Sequence, residues 1–268
     1  MYSIKEALEF AIKELKDKSE IPQKEARILL AHYLKKDQIY LLTHEDEKVV
    51  KEGYFELIKR RAKYEPIEYI TNSANFYSEE FYVNSSVLIP RPETELLVDL
   101  VVSTCKGIKR PSIVEIGTGS GIISIMLAKL LPNACIKAVD ISEDALKVAK
   151  KNAVLYKVDK KIEFIKSNLL DNVQESSFDM LVSNPPYIAK DEPLDVGLSY
   201  EPDLALFGGE KGDEILVDII EIFKSKNIKY LACEMGYDQR EKIKKYLPNA
   251  KFYKDLAGLD RGFWVKKN

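Results

Sequence analysis

Cysteine is scarce in this chain. Three occur in 268 residues, Cys105, Cys135 and Cys233, and no two of them stand at a metal-ligand spacing. An odd, scattered set does not suggest a disulfide framework, and such thiols behave as small buried apolar groups. Histidine is scarcer still: His32 and His44 lie far from every motif below and read as helix-surface or interface residues, and no metal site is expected. No apolar run is long enough for a signal peptide or a membrane span, so the protein is expected in the cytoplasm, without membrane contact. Neither sign of charge dominates. The 41 basic and 43 acidic residues leave a net charge of −2, which argues against a dedicated polyanion binder and leaves room only for a local basic patch. Repeats and low-complexity tracts are absent. What remains is the balance of a globular protein, 46% hydrophobic and 31% charged, long enough for one large domain or two ordinary ones and able to bury a core without covalent staples.

The chain reads as unequal parts. Residues 1–64 are expected to be helical. Ser3 and Glu6 form a potential capping box, and Ile4, Ala7, Leu8, Ala11, Ile12 and Leu15 then recur at helical spacing. Pro22 suits the first turn of a second helix, with Ala26, Leu29, Leu30, Tyr33 and Leu34 on its inner face. A third helical stretch is expected from about Asp46 to Lys63, its Lys59-Arg60-Arg61 run being a solvated face. Residues 65–92 change character. Ile67, Tyr69, Phe76, Tyr77, Phe81, Tyr82, Val83 and Val87 favour strands, Thr71-Asn72-Ser73 and Asn84-Ser85-Ser86 favour turns, and a β-hairpin linker fits, stopped by Pro90 and Pro92. A helix follows from about Glu93 to Ser103. From residue 111 strands (113–116, 136–139, 162–165, 178–183, 230–234) alternate with helices (122–131, 142–156, 211–225, 238–247), and strands near 250–256 and 262–266 close the chain. The fold class is α/β: a Rossmann-like, mainly parallel sheet over 93–268, covered on both faces.

Glu115-Ile116-Gly117-Thr118-Gly119-Ser120-Gly121 follows the first of these strands and opens a helix. Its glycines allow a sharp turn and the close approach of a ligand. Asp140 ends the next strand, where a carboxylate can accept both ribose hydroxyls of a nucleoside. The loop is G-x-G-x-G preceded by an acid, not the G-x-G-x-x-G of dinucleotide binders. It resembles the class I S-adenosylmethionine-dependent methyltransferases, in which the loop faces the methionine part and the acid holds the ribose. By itself the loop also fits another nucleotide binder or a plain structural turn, and it names no substrate.

A further strand leads into Asn184-Pro185-Pro186-Tyr187. Two prolines end ladder pairing and preset an extended backbone, so one reading is a rigid turn with an aromatic packed on it. The other is chemical. An amide or exocyclic amine nitrogen is a poor nucleophile with two N–H donors, and a site that activates it should offer two fixed acceptors. The Asn184 side-chain oxygen and the Pro185 carbonyl can be those acceptors, with Tyr187 packed on the planar group. Orientation and electrostatics would then carry the rate, without a metal or a strong base. The tetrad fits a base-amino methyltransferase acting on DNA or RNA as well as one acting on glutamine. A non-catalytic S-adenosylmethionine sensor would have no use for it.

Other segments separate these readings. Leu88 to Glu95, Phe76 upstream, Tyr200 to Leu206, Asp255-Leu256-Ala257-Gly258 and Arg261 together with the helical N-terminus closely resemble the peptide chain release factor glutamine N5-methyltransferases, the HemK-type family, over nearly the whole chain. The resemblance implies transfer of a methyl group from S-adenosylmethionine, leaving S-adenosylhomocysteine, to the glutamine of the Gly-Gly-Gln motif of class-1 release factors. It implies substrate binding by Asn184, Pro185, Pro186 and Tyr187, with Asn184, Pro185 and Tyr187 catalytic. Cofactor contacts would come from Glu115, Gly117, Thr118, Gly119, Ser120, Gly121, Asp140, Asn168, Leu169 and Asn184. Residues 1–64 would dock the release factor, and Arg91 and Glu93 would lie near the entrance. The protein would act as a monomer and contact no nucleic acid, since a base methyltransferase needs a basic surface or a recognition domain that the near-neutral N-terminus does not offer. Two positions depart from the family pattern. Asn168 stands where an adenine-contacting aspartate is usual, and can still accept through its oxygen or merely cap a turn. Asn72 replaces a hairpin glycine and tolerates a left-handed backbone.

Overall fold

In the computed structural model, which describes residues 1–267, the N-terminal helices begin as the sequence dictates. Helix α1 (Ile4–Leu15) carries the capping box: the Glu6 N–H donates to Ser3 Oγ at 3.1 Å, and the Ser3 N–H donates to Glu6 Oε2 at 2.8 Å. Helix α2 (Pro22–Leu34) starts on its proline and stops where Lys35 turns left-handed. Two shorter helices follow, α3 (Gln38–Thr43) and α4 (Glu52–Arg61). Ile4, Leu15, Leu29, Leu30, Tyr54 and Ile58 form the buried centre of this unit. The helix expected from Asp46 therefore begins six residues later. Val50 is held in a bridge to Tyr2, whose N–H donates to the Val50 carbonyl at 2.8 Å, so the backbone before α4 is spoken for.

Helix α5 (Ile67–Thr71) is a second difference, because its residues favour strands. Burying Tyr69 and Ile70 outweighs that weak preference. Asn72 ends α5 at φ 55°, the left-handed conformation expected of it. The hairpin is shorter than residues 65–92 suggested: β1 (Ser73–Phe76) and β2 (Glu79–Tyr82). One compact unit comprises Met1–Ser73 with Leu194–Tyr200; the other comprises Ala74–Pro193 with the chain from Glu201 onward.

The larger unit alternates helix and strand: α6 (Thr94–Cys105), β3 (Ser112–Ile116), α7 (Ile122–Leu130), β4 (Cys135–Asp140), α8 (Glu143–Leu155), β5 (Ile162–Lys166) and β6 (Ser177–Ser183). Then come β7 (Ile188–Ala189), α9 (Asp203–Leu206) and β8 (Phe207–Gly209), a small detour that the strand pattern did not reveal. The chain closes through α10 (Glu214–Ser225), β9 (Asn227–Glu234), α11 (Arg240–Tyr246), β10 (Lys251–Lys254) and β11 (Asp260–Lys266). Seven strands form one sheet in the order β10-β11-β9-β6-β3-β4-β5. The five from β9 to β5 run parallel, β11 runs antiparallel to β9, and β10 antiparallel to β11. Neighbouring strand residues face opposite layers: Ile113 packs with Leu97 and Val101 of α6, and Val114 with Leu216 and Ile219 of α10. The chain leaves β3 towards β4 and β5, then returns to lay β6 on the other side of β3. A crevice at the carboxyl ends of β3 and β6 follows from that reversal.

Gly121 opens α7 at φ 82°, and a Cβ there would lie 3.0 Å from the Ala149 Cβ of α8. Gly121→Ala should cost roughly 2 kcal/mol through left-handed strain. A fall in Tm of several degrees, read by circular dichroism, is the expected outcome.

Candidate active site

A cavity of about 240 Å³ lies at the carboxyl ends of β3, β4 and β6. Its walls include Glu115, Gly117, Thr118, Gly119, Ser120 and Asp140 from one side and Asn184, Pro185 and Pro186 from the other, with Asn168 and Leu169 below. The glycine loop, the acid after β4 and the first three residues of the tetrad, far apart in sequence, thus converge on one space.

The glycine loop is held from beneath. The Thr118 hydroxyl donates to Glu115 Oε2 at 2.8 Å, and the Ser124 N–H donates to the same oxygen at 3.1 Å, joined by the Ser124 hydroxyl. Burial pushes the Glu115 carboxyl up to about 7, against those hydrogen bonds from Ser124 and Thr118. Asp140 ties the two strand ends together: Oδ2 accepts from the Gly119 N–H at 2.8 Å and Oδ1 from the Ser142 N–H at 2.9 Å. Burial raises its pKa as well, opposed by the N–H groups of Ser142, Gly119 and Ile141. Asn168 donates through Nδ2 to Asp171 Oδ2 at 3.4 Å, which leaves its side-chain oxygen as an acceptor. Leu169 has φ 47°, a strained left-handed value for a branched apolar residue, at the cavity wall.

The tetrad is built differently. Ser183, the last residue of β6, pairs with Ile116 on one side and Cys233 on the other, and its hydroxyl donates to the Ile116 carbonyl at 2.7 Å. Asn184 follows at once, and its Nδ2 donates to Thr94 Oγ1 at 3.2 Å. Behind the tetrad the buried Gln239 donates through Nε2 to the Tyr187 carbonyl at 3.3 Å and to the Gly212 carbonyl at 3.1 Å. Gly208 allows this packing, since a Cβ there would stand 2.5 Å from the Pro186 carbonyl oxygen. Arg91 lines the cavity and pairs with the buried Glu201, whose Oε2 also accepts from the Ile89 N–H at 2.9 Å.

Two residues expected at the site stand elsewhere. Gly121 does not line the cavity, because it is consumed by the contact of α7 with α8. Tyr187 does not line it either. It is half-buried, and its hydroxyl faces Glu234 and Arg261; burial first, then Glu234, raise its pKa while Arg261 opposes them. Arg261 is in turn held on Asp255 Oδ2 at 2.8 Å, so the Asp255-to-Arg261 segment supports the tetrad from behind. Sequence reasoning missed Ile141 and Leu204, which line the cavity although both are mostly exposed, and it missed Glu234 and Gln239 behind it. Glu234 ends a strand as Asp140 does, a signal that was available. Gln239 had none.

The lining suits S-adenosylmethionine. Cβ positions on Gly117 and Gly119 have nothing within 4 Å, so the loop leaves space where side chains would fill it. The buried Glu115 Oε1, on the cavity wall, has no hydrogen-bond partner among the described residues. That orphaned acceptor suits the methionine ammonium, and Asp140 retains lone pairs for ribose hydroxyls.

A family model described as a methyltransferase small domain matches residues 92–197, and one described as a PrmC N-terminal domain matches residues 6–71. A bifunctional methyltransferase of Rickettsia typhi is 39% identical over 97% of this chain and 56% of its own length. The chain thus spans about half the length of the curated relatives of that name. A release factor glutamine methyltransferase of Koribacter versatilis is 36% identical, over 97% of this chain and 96% of its own. Among solved structures, the hMettl16 catalytic domain in complex with an RNA hairpin matches with a TM-score of 0.57 and 15% identity, covering 80% of this chain and 78% of that one, a likeness of fold alone.

Asp140→Ala should weaken S-adenosylhomocysteine binding by about tenfold or more, the worth of a hydrogen-bonded charged group; isothermal titration measures it. An ammonium held by Glu115 would pair with its ionised form, so affinity should be full above pH 7 and decline as pH falls through about 7 towards 5. Glu115→Gln should flatten that dependence in the same titration.

Proposed function

The chain belongs to the release factor glutamine methyltransferase family, and we propose that it methylates the side-chain nitrogen of the glutamine in the Gly-Gly-Gln motif of class-1 peptide chain release factors. The methyl donor is S-adenosylmethionine and the by-product S-adenosylhomocysteine. One observation carries the reading: the cofactor-type loop with Asp140 and the amide-type clamp Asn184-Pro185-Pro186 line the same cavity. A nucleotide sensor needs only the first. The net charge of −2 favours a protein substrate over an extruded base. The helical unit is the proposed docking region for the release factor, and the reaction belongs to the cytoplasm, where the protein acts as a monomer.

S-adenosylmethionine, when bound, supplies an electrophilic methyl group on a sulfonium. The chain does the rest. Asn184 accepts one N–H of the glutamine amide through its side-chain oxygen, and the Pro185 carbonyl accepts the other, which turns the nitrogen lone pair towards the donor. Holding the two reactants in line converts an unfavourable encounter into a positioned one. Two acceptors on the N–H groups also offset the positive charge that the nitrogen gains as the carbon–nitrogen bond forms. That nitrogen is then strongly acidic, and its extra proton leaves to water. Pro185 and Pro186 matter because a preset backbone keeps the carbonyl fixed. Arg91 and Glu201, paired at the cavity wall, brace the segment Leu88 to Arg91 that closes one side.

Asn184→Ala should lower kcat by roughly 10²-fold, as the loss of a preorganised polar group does. Binding of S-adenosylhomocysteine should change much less. Mass spectrometry of a purified release factor, incubated with enzyme and cofactor, should show one methyl group on the Gly-Gly-Gln glutamine. Label transferred to DNA or ribosomal RNA and not to the release factor would overturn the reading.

A further inference from the structure

We infer that a second cavity, at the amino ends of β3, β4 and β5, docks the phosphodiester backbone of single-stranded nucleic acid. This goes beyond glutamine methylation and does not rest on it.

The two ends of the parallel strands are used differently. The carboxyl ends hold the glycine loop, Asp140 and the tetrad. At the amino ends, about 20 Å away along the six-residue β4, lies a cavity of about 1000 Å³. Its walls come from three segments that run into successive strands. Lys109 and Arg110 precede β3, the turn 132–134 precedes β4, and Lys160 and Lys161 stand in the 3-10 turn Asp159–Lys161 that leads into β5.

Charge in this cavity is one-sided. Five cations line it, Lys109, Arg110, Lys137, Lys160 and Lys161, against two carboxylates, Glu163 and Glu175. Lys137 takes both acids: its Nζ lies 2.8 Å from Glu175 Oε1 and also pairs with Glu163. The other four cations have no carboxylate partner among the described residues. Arg110 donates through Nε to Cys135 Sγ at 3.2 Å, and Lys161 donates to the Ala128 carbonyl at 3.4 Å. Neither bond involves a carboxylate, so both charges stay uncompensated. Elsewhere in this unit exposed lysines are answered, Lys147 by Asp144, Lys166 by Glu143, Lys190 by Glu210 and Lys229 by Asp179. The total of −2 pointed away from nucleic acid, but a total averages over the whole chain and conceals a local excess.

The lining selects the ligand. Uncompensated lysine and arginine side chains suit phosphate oxygens. Their placement suits more than one phosphate. Strand β4 lies between β3 and β5, and neighbouring strands are about 5 Å apart, so the two cation pairs are rooted about 10 Å from each other. Successive phosphates of one strand can serve both pairs, whereas a single phosphate cannot. Among the described residues no aromatic ring lines the cavity, so bases find no stacking platform and sequence is not read. A volume of about 1000 Å³ corresponds to a space about 10 Å across, which takes one strand but not a duplex, whose major groove alone is about 12 Å wide. A flat anionic membrane would not reach the walls of such a concavity.

The cavity carries its own reporter. Of the three cysteines only Cys135 is exposed, and it lines this space. A fluorescent oligouridylate should bind the intact protein, read by anisotropy, and weaken about fiftyfold between 50 and 200 mM salt, because four phosphate contacts on a single strand give a slope of about −3. In the same titration, alkylation of Cys135 by iodoacetamide should slow in proportion to the fraction bound. Lys109→Glu with Arg110→Glu, and Lys160→Glu with Lys161→Glu, should each lower the affinity at 50 mM salt by about tenfold or more and halve the slope. Lys150→Glu with Lys245→Glu makes the same change of charge at exposed positions outside the cavity, and should lower the affinity by less than about threefold. Methylation of the release factor, measured without nucleic acid, should be unchanged in all three variants. Absent binding at 50 mM salt, binding without protection of Cys135, or an equal loss in the Lys150→Glu, Lys245→Glu variant would each overturn the inference. Tighter binding of polyglutamate would overturn it in favour of an acidic protein partner, and equal affinity for inorganic triphosphate in favour of a small anion. A parallel loss of methylation in the two cavity variants would overturn it by making these cations part of the release-factor site.

Discussion

The register of β6 between β3 and β9 is the constraint on which the rest of the site depends. Ser183 pairs with Ile116 on one side and Cys233 on the other. One residue further on, three strands end together, and they deliver Gly117, Asn184 and Glu234 to the same edge. The Ser183 hydroxyl, bonded to the Ile116 carbonyl, closes the β3–β6 seam where regular pairing stops. A shift of β6 by one residue would turn Asn184 to the opposite face of the sheet. The reversal of strand order between β5 and β6 opens the crevice, and the register decides which side chains line it.

Buried carboxylates recur along that edge. Glu115, Asp140 and Glu234 all end or nearly end strands, and burial raises the pKa of each. Two of them are answered in part. Asp140 takes the N–H groups of Gly119 and Ser142, and Glu115 takes Thr118 and Ser124. Glu115 and Glu234 each keep one oxygen without a partner among the described residues. An incompletely satisfied buried acid costs stability, and a fold keeps one where a ligand or a mechanism uses the remaining valence. At Glu115 the remaining valence faces the cavity.

The tetrad illustrates how a motif's members divide the labour. Asn184, Pro185 and Pro186 line the cavity, while Tyr187 turns behind it towards Arg261. Gln239 holds the Tyr187 carbonyl, and Gly208 admits the Pro186 carbonyl at close range. The short β7–β8 pair, for which no periodicity spoke, thus serves to hold the tetrad's backbone. Sequence periodicity is blind to such pieces because two- and three-residue strands contain no full repeat.

Much of the protein was legible in its sequence, because the signals were local. The capping box at Ser3, the proline start of α2, the left-handed Asn72 and the alternation of strand and helix each follow from chemistry within a few residues. So do the glycine loop with Asp140 and the tetrad, whose residue types state what they can hold. The reading failed where long-range packing outweighed local preference, as at Ile67–Thr71, which is helical because Tyr69 and Ile70 are buried, and before α4, where Val50 bridges to Tyr2. It also could not tell that Gly121 serves helix packing and Tyr187 the tetrad's support. The sequence by itself determined the kind of chemistry, a nucleoside-type loop and an amide-type clamp. Only the tertiary structure decided that both face one cavity and that a carboxylate on β9 stands beside the clamp, since proximity across a sheet is set by strand order and register, which no local run of residues encodes.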